Sequence, residues 1–124
     1  MKKEEETDTE IEEFIRLPKK NLASRIEWFE KQIRTREKLS DESIAKLNTQ
    51  QFLLEERIKA LRYAQGSERA TGIRKDFQIQ HQILEVYKLN EILACFKDVS
   101  YLQFRIQDAQ EELNKQNQRL KLLD

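Results

Sequence analysis

The fold is decided by residues 92–123, which read ILACFKDVSYLQFRIQDAQEELNKQNQRLKLL. Mainly apolar side chains recur there at alternating steps of three and four residues, the heptad a/d pattern, for about four and a half heptads. Such a stripe cannot remain in water, so a helix that carries it must pack against another helix. Eight residues of this pattern form the predicted partner seam, namely Ile92, Cys95, Val99, Leu102, Ile106, Leu113, Leu120 and Leu123. The two remaining positions of the pattern are Ala109 and Gln116.

The residues beside this seam predict its orientation. The e positions carry no charge, being Phe96, Gln103, Gln110 and Asn117. The g positions are charged with both signs, being Glu91, Asp98, Arg105, Glu112 and Arg119. A parallel pair would therefore have no g-to-e ion pairs, whereas an antiparallel pair brings g positions together, where acids can meet Arg. We expect an antiparallel arrangement, within the chain or with a second copy.

The composition favours long helices with few connections. Of 124 residues, 37% are charged and 38% are hydrophobic, and only two are glycine and one is proline. A strand-rich fold would need far more turn-forming residues. The sequence therefore predicts an all-α protein, an antiparallel helical bundle or hairpin with a long C-terminal coiled-coil-like helix.

Helix-stop and helix-start signals predict the boundaries. Residues 1–8 are expected to be a disordered acidic tail, followed by a single helical domain over 9–124. Pro18 is predicted to separate a short helix, 9–17, from a second helix, 18–38, and Ser40 is predicted to cap a third, 41–65. The second helix carries an apolar stripe formed by Leu22, Ile26, Phe29 and Ile33. The third carries heptads of its own, namely Ile44, Leu47, Gln51, Leu54, Ile58, Leu61 and Gln65. Both glycines lie in 65–72, the expected loop. The last helix, 73–124, is either continuous or broken near Asp98.

The helix predicted after this loop carries more apolar surface than one neighbour can cover. Its apolar residues between 77 and 96 wrap far round the helix, so we expect several helices to enclose them. They are Phe77, Ile79, Ile83, Leu84, Val86, Tyr87, Leu89, Ile92, Leu93 and Phe96.

The charges are balanced overall but unevenly distributed. Residues 1–14 hold two lysines and seven acids, whereas residues 15–75 hold 15 basic and 8 acidic side chains. The basic middle could bind a polyanion, with the acidic segment as a competitor. The alternative is an ordinary solvated helix surface, because the basic residues alternate with glutamates.

No catalytic or metal-binding pattern is present in the sequence. His81 and Cys95 are the only histidine and cysteine, so one chain cannot form a Cys/His zinc site. Glu85 could share a metal with His81, but the Glu-x-x-His motif of di-iron bundles is missing, because position 78 is Gln. We therefore expect no metal, no cofactor, no small-molecule substrate and no enzymatic activity. The predicted function is that of a structural or adaptor protein that contacts another protein helix or a second copy.

The single cysteine also indicates the cellular compartment in which the protein is expected. It cannot form an internal disulfide, which favours a reducing, cytoplasmic location. The first residues lack the apolar segment of a signal peptide. No apolar run is long enough to span a bilayer, so we expect no membrane association.

An alternative function comes from a resemblance near the N-terminus. The run EFIRLP, residues 13–18, followed by Leu22, Ile26 and Phe29, resembles the opening of ribbon-helix-helix DNA-binding proteins over about residues 11–60. The resemblance implies a strand at 11–17 that would pair in a dimer and enter the major groove. The C-terminal helices would then be a stalk for partners, as in relaxosome accessory proteins. The implied nucleic-acid contacts are Arg16, Lys19 and Lys20.

Overall fold

The chain is an all-α helical hairpin, which confirms the predicted fold class. The computed structural model describes the backbone of residues 2–62 and 68–123, and the side chains of residues 16, 19, 21–62 and 68–123. Helix α1 spans Lys2–Arg62 and helix α2 spans Glu68–Leu123. The two helices pack against each other, and neither described segment contains a strand.

Helix α1 runs without a break where three helices were predicted. It begins at Lys2, so the predicted disordered tail is wrong for residues 2–8, and it passes through Pro18. A proline inside a helix forgoes one backbone hydrogen bond, at a cost of about 3 kcal/mol. The predicted cap, Ser40, is only 4% exposed. It lies on the packing stripe of a continuous helix and does not start a new one.

Helix α2 is also continuous and begins earlier than predicted. It starts at Glu68, so Gly72 lies inside the helix and not in a loop, and no break occurs near Asp98. The tip of the predicted loop, residues 63–67, lies outside the described residues. Helices α1 and α2 are similar in length, with 61 and 56 residues.

The contacts divide the hairpin into two compact units. Unit 1 comprises Met1–Thr35 with Asp98–Asp124, and unit 2 comprises Arg36–Lys97. The helices are antiparallel in both. In unit 2, Arg36 contacts Glu91 while Arg57 lies over Phe77, so positions rise along α1 as they fall along α2.

Unit 1 is held by apolar contacts in a heptad-like register. The α1 stripe predicted from Leu22, Ile26, Phe29 and Ile33 is half-buried or buried, with Ile26 at 9% exposure. Opposite it, Ala109 is buried in a cleft that also contains Leu22 and Phe29. The guanidinium carbon of Arg105 lies 5.7 Å from the centre of the Phe29 ring, a cation–π distance.

Unit 2 confirms the second predicted stripe of α1. Leu54 and Ile58 are buried, and Gln51 is buried with them. The same side of α1 continues through residues that are all half-buried, namely Ile44, Leu47 and Leu61.

The packing stripe of α2 changes register at Cys95. Its half-buried positions run Leu84, Lys88, Glu91, Cys95 and Val99, so two steps of four residues follow each other at 91–95–99. Such a stutter shifts a heptad seam by part of a turn. Upstream of it, the stripe uses Glu91 and leaves Ile92 47% exposed. The prediction that the seam begins at Ile92 is therefore wrong.

Gly72 offers a direct test of the early start of α2. A Cβ built on Gly72 meets no atom within 4 Å. We expect Gly72→Ala to raise the free energy of unfolding by about 0.5–1 kcal/mol, because alanine loses less backbone entropy in a helix than glycine does. Urea unfolding followed by circular dichroism measures it. The reverse change at an exposed helical site, Ala45→Gly, should destabilise by a similar amount. A destabilised Gly72→Ala variant would contradict a helical residue 72.

Candidate interaction surface

Most of the predicted partner seam is covered within the chain. Cys95 is half-buried in unit 2, and only Ile92 and Leu123 are classed as exposed. The remaining members are half-buried in unit 1, whose other segment is α1: Val99, Leu102, Ile106, Leu113 and Leu120. The seam is therefore mainly an intramolecular packing face, because the N-terminal part of α1 shares unit 1 with it.

In unit 2, polar side chains line much of the contact between α1 and α2. The Nε2 atom of Gln51 donates to Glu85 Oε2 at 2.8 Å and to the carbonyl oxygen of His81 at 3.3 Å. Lys88 Nζ donates to Gln51 Oε1 at 2.9 Å. Gln51 is only 5% exposed, so both ends of a buried amide are satisfied by α2.

Two further side-chain contacts join the same helices. Arg36 Nη1 lies 2.7 Å from Glu91 Oε1, and both side chains are about one-fifth exposed. The Nε2 atom of His81 lies 2.9 Å from Glu55 Oε1. The polar stripe of α2 is therefore turned towards α1.

The apolar residues of the same part of α2 point away from α1. Phe77 and Leu84 are half-buried, but in the described part of one chain only α1 is available to cover the rest, so the several helices that were expected to enclose them are not found there. We call the exposed residues the outer face, and their exposures run from 44% at Ile83 to 71% at Phe96. The outer face consists of Ile79, Ile83, Val86, Tyr87, Leu89, Ile92, Leu93 and Phe96.

Helix α1 adds apolar surface beside the outer face. Leu53 is 50% exposed and, with Ile83, lines a groove of about 330 Å³ between α1 and α2. Phe52 is 57% exposed. Pockets of this kind beside an apolar helix face accept the side chains of a partner helix.

Every charged side chain of α2 between Asp76 and Lys97 contacts α1. Between Asp76 and Lys97, the Asp, Glu, Lys and Arg residues of α2 are Glu85, Lys88 and Glu91. Each has a contact, described above, with Gln51 or Arg36 of α1. These charges recur every three residues, with His81 four residues before the first, and so form one helical stripe. That spacing is the signal by which the sequence could have identified the opposite side as the outer face.

The size of the outer face exceeds what a monomer ordinarily exposes. Eight large side chains, each about half exposed, present on the order of 800 Å². The largest apolar patch on a typical monomer is about 300–600 Å². Covering the outer face would contribute on the order of 20 kcal/mol before the costs of association, at about 25 cal/mol per Å².

The residues predicted to contact nucleic acid lie on a helix and not on a strand. Residues 11–17 belong to α1, so the strand that the ribbon-helix-helix resemblance requires is absent. The apolar spacing of Ile11, Phe14 and Ile15 suits a helix face, which explains the outcome. Arg16 and Lys19 share a groove of about 870 Å³ with Lys121, whereas the side chain of Lys20 lies outside the described residues.

The described side chains do not assemble a metal site. His81 contacts Glu55 while Glu85 contacts Gln51, and no group of three potential ligands occurs among the described residues. No helix in the described part of the chain is both long and apolar enough to cross a membrane.

The Gln51 contact predicts a pH dependence of stability. The Gln51 amide, followed by Lys88, holds the pKa of Glu85 below its ordinary value of 4.5. A lowered carboxyl pKa stabilises the folded state above pH 4.5, and this contribution is lost as the pH falls through the folded-state pKa. We expect Glu85→Gln to flatten this part of the pH profile of the unfolding free energy, measured by urea titrations between pH 3 and pH 7.

A substitution at Gln51 tests the same contact without changing the number of titratable groups. Gln51→Ala removes the largest cause of the shift without removing a titratable group, and should flatten the same part of the profile. An unchanged profile in both variants would show that the Gln51 and Glu85 side chains do not interact in solution.

Comparisons with known proteins add no information to these structural observations. No protein-family model matches the chain, and neither a curated protein nor a solved structure matches it. The function therefore has to be argued from the chain's own residues, chiefly those of the outer face.

Proposed function

We propose that this chain is a non-enzymatic structural or adaptor protein that binds a helical protein surface through the outer face of α2. One observation carries the proposal. The charged residues of α2 that lie between Asp76 and Lys97 contact α1, while eight large apolar side chains are left exposed. An apolar patch of this size marks an interaction site.

The pattern of the outer face favours a helix as the partner structure. Ile79, Val86 and Leu93 recur every seven residues, and Leu89 and Phe96 repeat at the same interval. The two rows are three and four residues apart, which is a second heptad seam on the side of α2 away from α1. Such a seam receives the apolar side chains of another helix between its own.

The nucleic-acid alternative has less support. Its base-reading strand is replaced by helix α1, which leaves only the groove between Arg16, Lys19 and Lys121. Basic side chains on a groove contact phosphates without reading a sequence. Contacts with phosphates would not use the large apolar outer face.

A matched pair of leucine substitutions tests the proposal. Leu54 is 6% exposed and Leu93 is 65% exposed. At protein concentrations low enough to keep the chain monomeric, Leu54→Ala should lower the unfolding free energy by about 2–4 kcal/mol. Leu93→Ala should change it by no more than about 0.5 kcal/mol.

A dye that binds apolar surface gives the second readout. We expect the fluorescence of bis-ANS on the folded chain to fall in Leu93→Ala and in Phe96→Ala. Leu54→Ala, assayed where it remains folded, should keep it. If Leu93→Ala destabilises the monomer as much as Leu54→Ala does, the outer face belongs to the core and the proposal fails.

A further inference from the structure

We infer that the partner of the outer face is a second copy of this chain, with the two α2 helices antiparallel about a twofold axis near Val86 and Tyr87. This inference rests on the proposed function and names the occupant of its docking surface. Three observations carry it: the width of the outer face, its area, and the charges at its two ends.

The width of the outer face requires more than a single helix. At about 100° per residue, the face extends from Tyr87 on one flank, through Val86, to Ile92 on the other, which is more than half the circumference of α2. One partner helix covers a narrower stripe. A second copy of unit 2 supplies two helices, and it brings the exposed Leu53 of its own α1, which lines the groove beside Ile83.

The area matches what a stable dimer uses. The outer face presents on the order of 800 Å², and a standard protein interface buries about 800 Å² from each partner. A twofold arrangement buries the same patch on both copies, so a single apolar face is sufficient to close the assembly.

The charges at the ends of the outer face select the antiparallel orientation. Asp76 precedes the face and Lys97 follows it, and both are exposed. Their midpoint falls between Val86 and Tyr87, near the centre of the face. An antiparallel pair centred there places Asp76 of each copy beside Lys97 of the other. A parallel pair would instead place Asp76 beside Asp76 and Lys97 beside Lys97, which is unfavourable.

The first experiment measures assembly. Sedimentation equilibrium of the full chain should give a dimer at about 100 μM, and Leu93→Gln with Phe96→Gln should give a monomer at that concentration. Asp76→Lys should weaken the dimer by about two- to thirtyfold, since it replaces two exposed ion pairs by like-charge contacts. The double swap Asp76→Lys with Lys97→Asp should restore assembly.

The second experiment reads the orientation, in a Cys95→Ser background under mild oxidation. Val86→Cys should cross-link to itself, because the two copies of this position meet at the axis. Asp76→Cys should not, because its two copies lie about 30 Å apart along the helices at about 1.5 Å per residue. A mixture of Asp76→Cys and Lys97→Cys chains should form the mixed disulfide.

The outcomes separate this inference from the proposed function. In one outcome, the full chain stays monomeric at about 100 μM while Leu93→Ala still lowers bis-ANS binding without destabilising the fold. That result would overturn the inference that the partner is a second copy, and the proposed docking surface would stand. Self-linked Asp76→Cys overturns the antiparallel orientation. A dimer that persists in Leu93→Gln with Phe96→Gln uses another surface and also overturns the inference.

Discussion

The arrangement of unit 2 depends on the buried amide of Gln51. Its donor and acceptor are both satisfied by α2, through Glu85, Lys88 and the His81 carbonyl. Sliding α1 by one helical turn would separate the amide from all three groups and leave it buried without partners, at a cost of about 1–3 kcal/mol. The amide therefore fixes which residues of α1 and α2 lie opposite each other, as buried polar groups do in coiled coils.

Because polar residues of α2 face α1 in unit 2, apolar residues are left exposed on the other side of α2. A helix has a limited circumference, so side chains used against α1 decide which ones remain exposed. In unit 1 the stripe that meets α1 is largely apolar, and Ala109 is buried there. In unit 2 that stripe contains Lys88 and Glu91, and most of the apolar residues are left outside. The function proposed here follows from this difference in polarity between the two units.

The sequence was sufficient for the fold class but not for the location of the surface. Heptad spacing identified both stripes of α1 and the seam from Val99 to Leu120, because burial of apolar side chains determines these positions. Local signals failed at Pro18 and Ser40, which read as helix boundaries, yet helix α1 continues through both. Ile92 was misplaced because a stutter changes the register next to it, and the periodicity of the last third alone does not reveal that change.

The division into units also implies an order of folding. Unit 2 is a local hairpin, in which Arg57 and Phe77 are only 20 residues apart along the chain. Unit 1 joins two segments separated by the 62 residues of Arg36–Lys97. Closing so long a span costs more chain entropy than closing the short one, unless the span is already folded. We therefore expect unit 2 to fold first, and its formation shortens the span that unit 1 has to close.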